Sequence, residues 1–210
     1  GSALLKNPPL VRKILREIIK VSTKPVSLKI RMGWDHNSIN GIEIGKIAEE
    51  EGVSFLTIHA RTKDMFYSGD ADWDYIKKMK KSINIPIIGN GDIFEPIDAI
   101  KMMEYTECDG VAIGRGAMGN PWIFSRIQNL LDGKEDIVPS SNEKIDMAIK
   151  HLNLLCNMKG ENIGVREMRK HISWYLKGMK NSNAVKNRIN TIKEKDEIEN
   201  ILLEYKLELN

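Results

Sequence analysis

The sequence predicts an α/β fold with a parallel sheet that passes into a small all-α domain, and three observations carry that prediction. Apolar runs begin near residues 26, 54, 86 and 110, with a helical pattern between each pair. Alternation at this spacing implies right-handed βαβ crossovers and a parallel sheet. From Asn142 onward no strand signal occurs, whereas three more helical patterns do. Between Lys159 and Lys195 ten Lys/Arg stand against three Glu, a surplus concealed by a whole-chain net charge of only +3.

The elements follow in order. Asn7 is a good N-cap, Pro8 and Pro9 suit a first turn, and Leu10, Val11, Ile14, Leu15, Ile18 and Ile19 form one helical stripe. Thr23-Lys24-Pro25 ends that helix, and Val26 to Arg31 reads as a strand. A helix over Ile42–Glu51, closed by Gly52, leads to a strand over Ser54–His59. The helix from Trp73 to Lys80 precedes the strand Pro86–Asn90. Pro96 to Glu104 is helical, Gly110 to Ile113 a strand, and a last helix of this series starts near Pro121. Residues 134–141 are polar, contain a proline and read as a linker. The expected organisation is therefore 1–133, a linker at 134–141, and a helical domain at 142–210. In that domain Ser141 or Asn142 caps a helix over Ile145, Ala148, Ile149 and Leu152. A second helix covers Val165, Met168, Ile172, Tyr175 and Leu176, and a third runs from about Glu194 to the end.

Composition narrows the function. With 41% hydrophobic and 29% charged residues, the chain can fill a core and is not disordered by default. No apolar run approaches a membrane span, and the first residues lack the basic head and apolar body of a signal peptide. Membrane and secreted classes fall away. Cys108 and Cys156 lie 48 positions apart, in neither a disulfide framework nor a metal spacing, so no metal is expected and a reducing, cytoplasmic compartment fits. A monomer is expected. The first residue is Gly rather than Met, which suggests processing, a cloning scar or a piece of something longer.

Every strand ends in a polar cluster: Lys29/Arg31, His59/Arg61, Asn90/Asp92 and Gly114/Arg115. In parallel α/β folds chemistry sits at the C-terminal ends of strands, and four consecutive site-bearing ends favour a barrel face over a doubly wound crevice. Four strands are half of what a closed barrel needs, so the fold class is the second half of a (β/α)8 TIM barrel with a helical domain after it. Glycines after two successive strands, in Gly89-Asn90-Gly91-Asp92 and Gly114-Arg115-Gly116, let backbone N–H groups approach an anion, and Arg115 adds a charged fork. Lys29 lies on an otherwise apolar strand, where a lysine inside a barrel is costly unless it meets an anion such as a reduced flavin. His59 shares its strand end with Arg61, which raises a role in a site above a structural one. The plainer readings stay open beside these: turn glycines, a solvated edge lysine, a structural histidine.

These residues resemble a family. Leu28-Lys29-Ile30-Arg31-Met32-Gly33-Trp34, Thr57-Ile58-His59-Ala60-Arg61-Thr62, Gly89-Asn90-Gly91-Asp92-Ile93 and the run Gly114 to Phe124 are similar to motifs of the bacterial tRNA-dihydrouridine synthases. The stretch Arg166 to Gly178 is similar to their helical-domain motif. The resemblance implies an FMN-containing (β/α)8 barrel followed by a helical tRNA-binding domain. It also implies reduction of the C5=C6 bond of uridines in tRNA, with NADPH as the reductant of the flavin. Carried over by position, Lys29 and His59 contact the FMN ring region. Asn90, Gly91, Asp92, Gly114 and Arg115 hold its ribityl chain and phosphate. Arg61 and Arg31 face the substrate base. In the basic segment Arg169, Lys170, Lys177 and Lys180 recur at helical spacing beside Trp174 and Tyr175, a pattern that suits RNA phosphates, although a charge run is more often a solvated face.

One departure matters. The family's general acid is a cysteine in an Asn-x-x-Gly-Cys-Pro segment, and no such segment occurs here. Cys108 and Cys156 read as small semi-buried residues, so no catalytic residue is expected in this chain. The opening Gly1 to Leu5 is similar to the family's stretch just after the missing cysteine, which favours a truncated and inactive piece with two open sheet edges. Two other readings remain: an FMN barrel oxidoreductase acting on a small molecule, and a non-catalytic RNA-binding fragment.

Overall fold

The computed structural model describes residues 1–209. The first ordered element is a 3₁₀ turn at Ser2–Lys6, followed by α1 (Pro8–Val21), β1 (Ser27–Gly33), α2 (Gly41–Glu50) and β2 (Phe55–Thr62). Next come α3 (Trp73–Ser82), β3 (Ile87–Asn90), α4 (Pro96–Thr106), β4 (Gly110–Ala112) and α5 (Ile123–Leu131). The chain then continues as α6 (Ser141–Lys159), α7 (Glu161–Tyr175), α8 (Ser182–Ile189) and α9 (Lys195–Glu208). Among the described residues no helix is long and apolar enough to cross a membrane.

The four strands form one parallel sheet in the order β1-β2-β3-β4, so each crossover helix returns the chain to the neighbouring position. On the helix-covered side Leu56, Ile58 and Ile87 are fully buried. Beside them Leu5, Val11 and Leu15 pack with Ile44, Ile47, Ala48 and Val53 into a second apolar cluster. Asn7 caps α1 as expected, its side chain accepting from Leu10 N at 3.1 Å. The α1 stripe is only half used: Val11 and Leu15 are buried, whereas Leu10 and Ile18 are exposed. Among the described residues β1 and β4 each have a strand partner on one side only.

The chain divides into two compact units, Gly1–Gly116 and Ala117–Asn210. The boundary thus falls ahead of the 133/134 boundary that linker composition suggests. The physical reason lies in the second unit: Trp122 packs against its core, around Ile145, Leu152, Met168, Ile172 and Leu202. The presumed linker is tied down as well, because Arg126 grips Asp136 with two hydrogen bonds of 2.7 and 2.8 Å. The cap of α6 is Ser140, one residue before the expected position, in a capping box with Glu143. The short helix α8 carries no periodic apolar pattern long enough to be read from the sequence.

Candidate functional site

Parallel register puts Arg31 beside His59, His59 beside Asn90 and Asn90 beside Ala112, one row across all four strands near their C-terminal ends. Lys29 and Thr57 lie one row deeper on the same face, since side chains alternate along a strand. This face is opposite to the one that packs Leu56, Ile58 and Ile87 under the helices. It lines a cavity of about 510 Å³ in the first unit, which also reaches Leu5, Val11, Leu28, Ile30 and Ile44 of the apolar cluster. Lys29, His59, Asn90, Gly91, Asp92, Gly114 and Arg115, all the expected cofactor residues, line that cavity, and Arg31 does too.

Lys29 Nζ donates to Asn90 Oδ1 at 2.8 Å, and Asn90 Nδ2 donates to the Ala112 carbonyl at 2.7 Å. Three strand ends are therefore joined by two side chains. Partial desolvation, and then the charge of Arg31, lower the Lys29 ammonium from its usual range. His59 is lowered to about 4, first by desolvation and then by the positive charges of Arg31, Lys29 and Arg61, with Asp92 opposing. At neutral pH its imidazole is uncharged.

Asp92 organises the other side of the cavity. Its Oδ2 accepts from Arg61 Nη2 at 2.6 Å and from Ala71 N at 2.7 Å, and its Oδ1 accepts from Arg115 Nη2 at 3.1 Å. Burial acts to raise its carboxyl, but the Arg61 and Ala71 hydrogen bonds and the two guanidinium charges hold it below the usual range. Arg61 departs from the expectation that it faces a substrate base. It is 1% exposed and also donates to the Ser68 and Gly69 carbonyls at 3.2 and 2.5 Å, so it braces the loop after β2. Its Nη1 is buried with no hydrogen-bond partner. Arg31 likewise donates to the carbonyls of Thr62 and Phe66, at 2.7 and 3.0 Å.

Two aromatic residues of the cavity, Tyr67 and Phe94, are not among those the sequence singles out. Tyr67 lies with its ring centroid 6.3 Å from that of His59, and Arg115 stacks over Tyr67 at 4.6 Å and over Phe94 at 5.2 Å. The only available signal was an aromatic residue shortly after a strand, which is too common to single out. The paired glycines of the β4 end do different jobs. A Cβ on Gly116 would collide with the Ile93 carbonyl oxygen and lie 3.1 Å from Phe94 Cα, so this glycine lets two loops meet. A Cβ on Gly114 would meet no atom within 4 Å, so its backbone faces open space.

In the second unit the basic residues divide. Arg169 Nη2 donates to the Ile192 carbonyl at 2.5 Å and its Nε is buried without a partner, which makes it a strut between α7 and the turn before α9. Lys170 and Lys177 are exposed, and Lys170 lies 4.8 Å from the Trp174 ring centre. Tyr175 is core, with its hydroxyl 3.3 Å from His151 Nδ1, whereas Trp174 is half-buried against the His171 ring. Neither thiol lines the cavity: Cys108 Sγ donates to the Gly110 carbonyl at 3.2 Å, and Cys156 sits in the core of the second unit.

A parallel sheet whose strand ends bring charged and polar side chains to one largely apolar cavity defines an α/β protein with a ligand site at the C-terminal rim. The profile of the dihydrouridine synthase family (Dus) matches residues 1–210. Similar curated proteins agree. A tRNA-dihydrouridine synthase B of Pasteurella multocida is 43% identical over 199 residues, covering 94% of this chain and 60% of the relative. A probable tRNA-dihydrouridine synthase of Rickettsia conorii is 41% identical over 195 residues, 92% of this chain and 59% of its own length. A tRNA-dihydrouridine synthase B of Shewanella oneidensis is 44% identical over 177 residues, 84% and 55% of the two chains. This chain belongs to the dihydrouridine synthase family, and it spans about 60% of the length of these relatives.

Proposed function

We propose that the chain forms the second half of an FMN-binding (β/α)8 barrel followed by a helical tRNA-binding region, and that it serves the reduction of uridine to 5,6-dihydrouridine in tRNA. The observation that carries this reading is the convergence of Lys29, His59, Asn90, Asp92 and Arg115 on one cavity, in a chain of this family. The cavity residues fit a flat ring with an anionic tail. The volume lies within the roughly 300–1,000 Å³ of small-molecule pockets. The open backbone at Gly114 leaves space at the cavity that the chain itself does not use.

When bound, and reduced at the expense of NADPH, the flavin supplies the hydride. The chain's residues orient and stabilise. Lys29 offers a positive charge to the ring region, while His59, uncharged at neutral pH, donates or accepts there without adding charge. Arg115 is half-exposed and held to Asp92 by a single 3.1 Å contact, so it is available to a phosphate. Arg31 stands at the rim for a uracil that has left its stack. Arg61 acts by bracing the loop that carries Tyr67. Lys170 and Lys177 meet tRNA phosphates, and Arg169 holds their helix in place. Two free cysteines agree with a reducing, cytoplasmic setting. With neither thiol at the cavity, these 210 residues alone do not protonate C5 and do not complete the reduction.

The test is a titration of the chain with FMN followed by flavin fluorescence, and with unmodified tRNA at several salt concentrations. The expected result is binding of both, with Arg115→Ala weakening FMN by about tenfold or more, as loss of a charge-assisted hydrogen bond does. Absence of FMN binding at high chain concentration overturns the cofactor assignment. Dihydrouridine formed by this chain alone overturns the statement about the proton.

A further inference from the structure

Six of the eight cation–ring contacts of the described residues lie in one series along the ends of the strands. Lys6 Nζ lies 3.8 Å from the Trp34 ring centre, and Lys63 Nζ lies 4.7 Å from Trp34 and 5.0 Å from Phe66. The series continues through Tyr67, approached by Arg31 at 5.9 Å and by Arg115 at 4.6 Å, to Phe94 beside Arg115 at 5.2 Å. Cations and rings thus line the strand ends in two groups, Lys6–Trp34–Lys63–Phe66 and Arg31–Tyr67–Arg115–Phe94.

The centre of the series is built at a cost. Phe66 has φ +50°, a left-handed backbone that bulky residues rarely adopt. It is fixed there by Arg31, which donates to its carbonyl, and by its own N–H, which donates to the Lys63 carbonyl at 3.2 Å. The result is a phenyl ring left 62% exposed next to Tyr67 at 58% and not far in the chain from the cavity wall. An aromatic residue held in strain and turned to water is a ligand feature more than a folding one. Two carboxylates of this rim accept local hydrogen bonds from uncharged donors: Asp35 from Asn37 N and Ser38 Oγ, and Asp64 from Thr62 Oγ1.

We infer that the Lys6–Trp34–Lys63–Phe66 rim is a docking strip for single-stranded RNA, on which Phe66 stacks a base adjoining the one admitted to the cavity. This rests on the proposed function and adds to it a contact outside both the cofactor cavity and the basic helices. Lys6 and Lys63 flanking the half-buried Trp34 and the exposed Phe66 offer cations to phosphates and a free ring face to a base. RNA is the occupant that uses both features together, its phosphates on Lys6 and Lys63 and a base on the Phe66 ring.

The experiment measures binding of the whole chain to a labelled uridine oligomer of about ten nucleotides, and to an abasic phosphodiester of equal length and charge. The main variant is Phe66→Asn, because asparagine accepts a left-handed backbone and preserves the loop. Phe66→Trp and Lys63→Ala accompany it, with FMN binding and thermal melting as controls. The strip predicts about tenfold weaker oligouridine binding for Phe66→Asn, near-full binding for Phe66→Trp, and weak abasic binding that Phe66→Asn does not change further. Lys63→Ala lowers the salt slope of the oligouridine by about one. Unchanged affinity in Phe66→Asn, or an abasic strand held as tightly as oligouridine, overturns the strip while leaving the proposed function standing. If the chain binds FMN but neither the oligomer nor tRNA, the RNA part of the proposed function falls together with the strip.

Discussion

Asp92 binds two arginines at once, Arg61 through Oδ2 at 2.6 Å and Arg115 through Oδ1 at 3.1 Å. One carboxylate therefore links the end of β2, the turn after β3 and the turn after β4. Arg61 is nearly inaccessible, so its charge has little water to fall back on. Removing one partner of a buried pair leaves the other uncompensated. Asp92→Ala is expected to cost about 3 kcal/mol in chemical denaturation, and Asp92→Asn distinctly less because an acceptor remains. Equal stability of Asp92→Ala and the parent chain would show that the link is dispensable.

His59 makes stability depend on pH in a definite direction. Its folded value of about 4 lies below the ordinary value near 6.5, so between these pH values the unfolded chain binds more protons. Its contribution is fully present above about pH 6.5 and is lost as pH falls toward 4. The urea midpoint should drop between pH 7 and pH 5, and drop less in His59→Gln. Identical pH slopes for the two chains would remove the assignment.

The two glycines of the β4 end separate folding from ligand binding. Gly116→Ala meets the Ile93 carbonyl and should destabilise the chain by about 1–3 kcal/mol. Gly114→Ala meets nothing and should melt within about 0.5 kcal/mol of the parent, yet weaken FMN by crowding the backbone approach to its phosphate. Differential scanning calorimetry and FMN titration on both variants decide this, and FMN affinity unchanged in Gly114→Ala would place the phosphate elsewhere.

The helical unit offers a parallel contrast. Arg169→Ala removes a charged hydrogen bond to the Ile192 carbonyl and should cost about 2 kcal/mol of stability. Lys177→Ala, on the exposed surface, should leave stability alone and reduce the salt slope of tRNA binding by about one. A salt slope that does not move in Lys177→Ala, measured between low and physiological salt, would take this lysine out of the interface.

Local chemistry was enough to read much of this protein. Asn7 with Pro8 starts α1 because capping and a preset φ act within one turn, and the strands at 27, 55, 87 and 110 begin within a residue or so of where their apolar runs place them. The site-bearing residues were legible because parallel strands all deliver their C-terminal ends to one side, so Lys29, His59, Asn90 and Arg115 meet without further information. What each of those residues touches was decided by tertiary structure. Arg31 and Arg61 look alike in sequence, two positions past Lys29 and His59, yet one stands half-buried at the rim and the other is sealed behind Asp92. Tyr67 enters the cavity because Arg31, Arg61 and Asp92 draw the loop after β2 over the strand ends. Arg169 and Lys170 are adjacent, and the helix turns one toward the Ile192 carbonyl and the other toward water. Periodicity and capping are short-range and act through the backbone, so the sequence states them directly. Partner choice among charged side chains depends on which distant carbonyl or carboxylate the fold brings within about 3 Å, and only the assembled chain determines that.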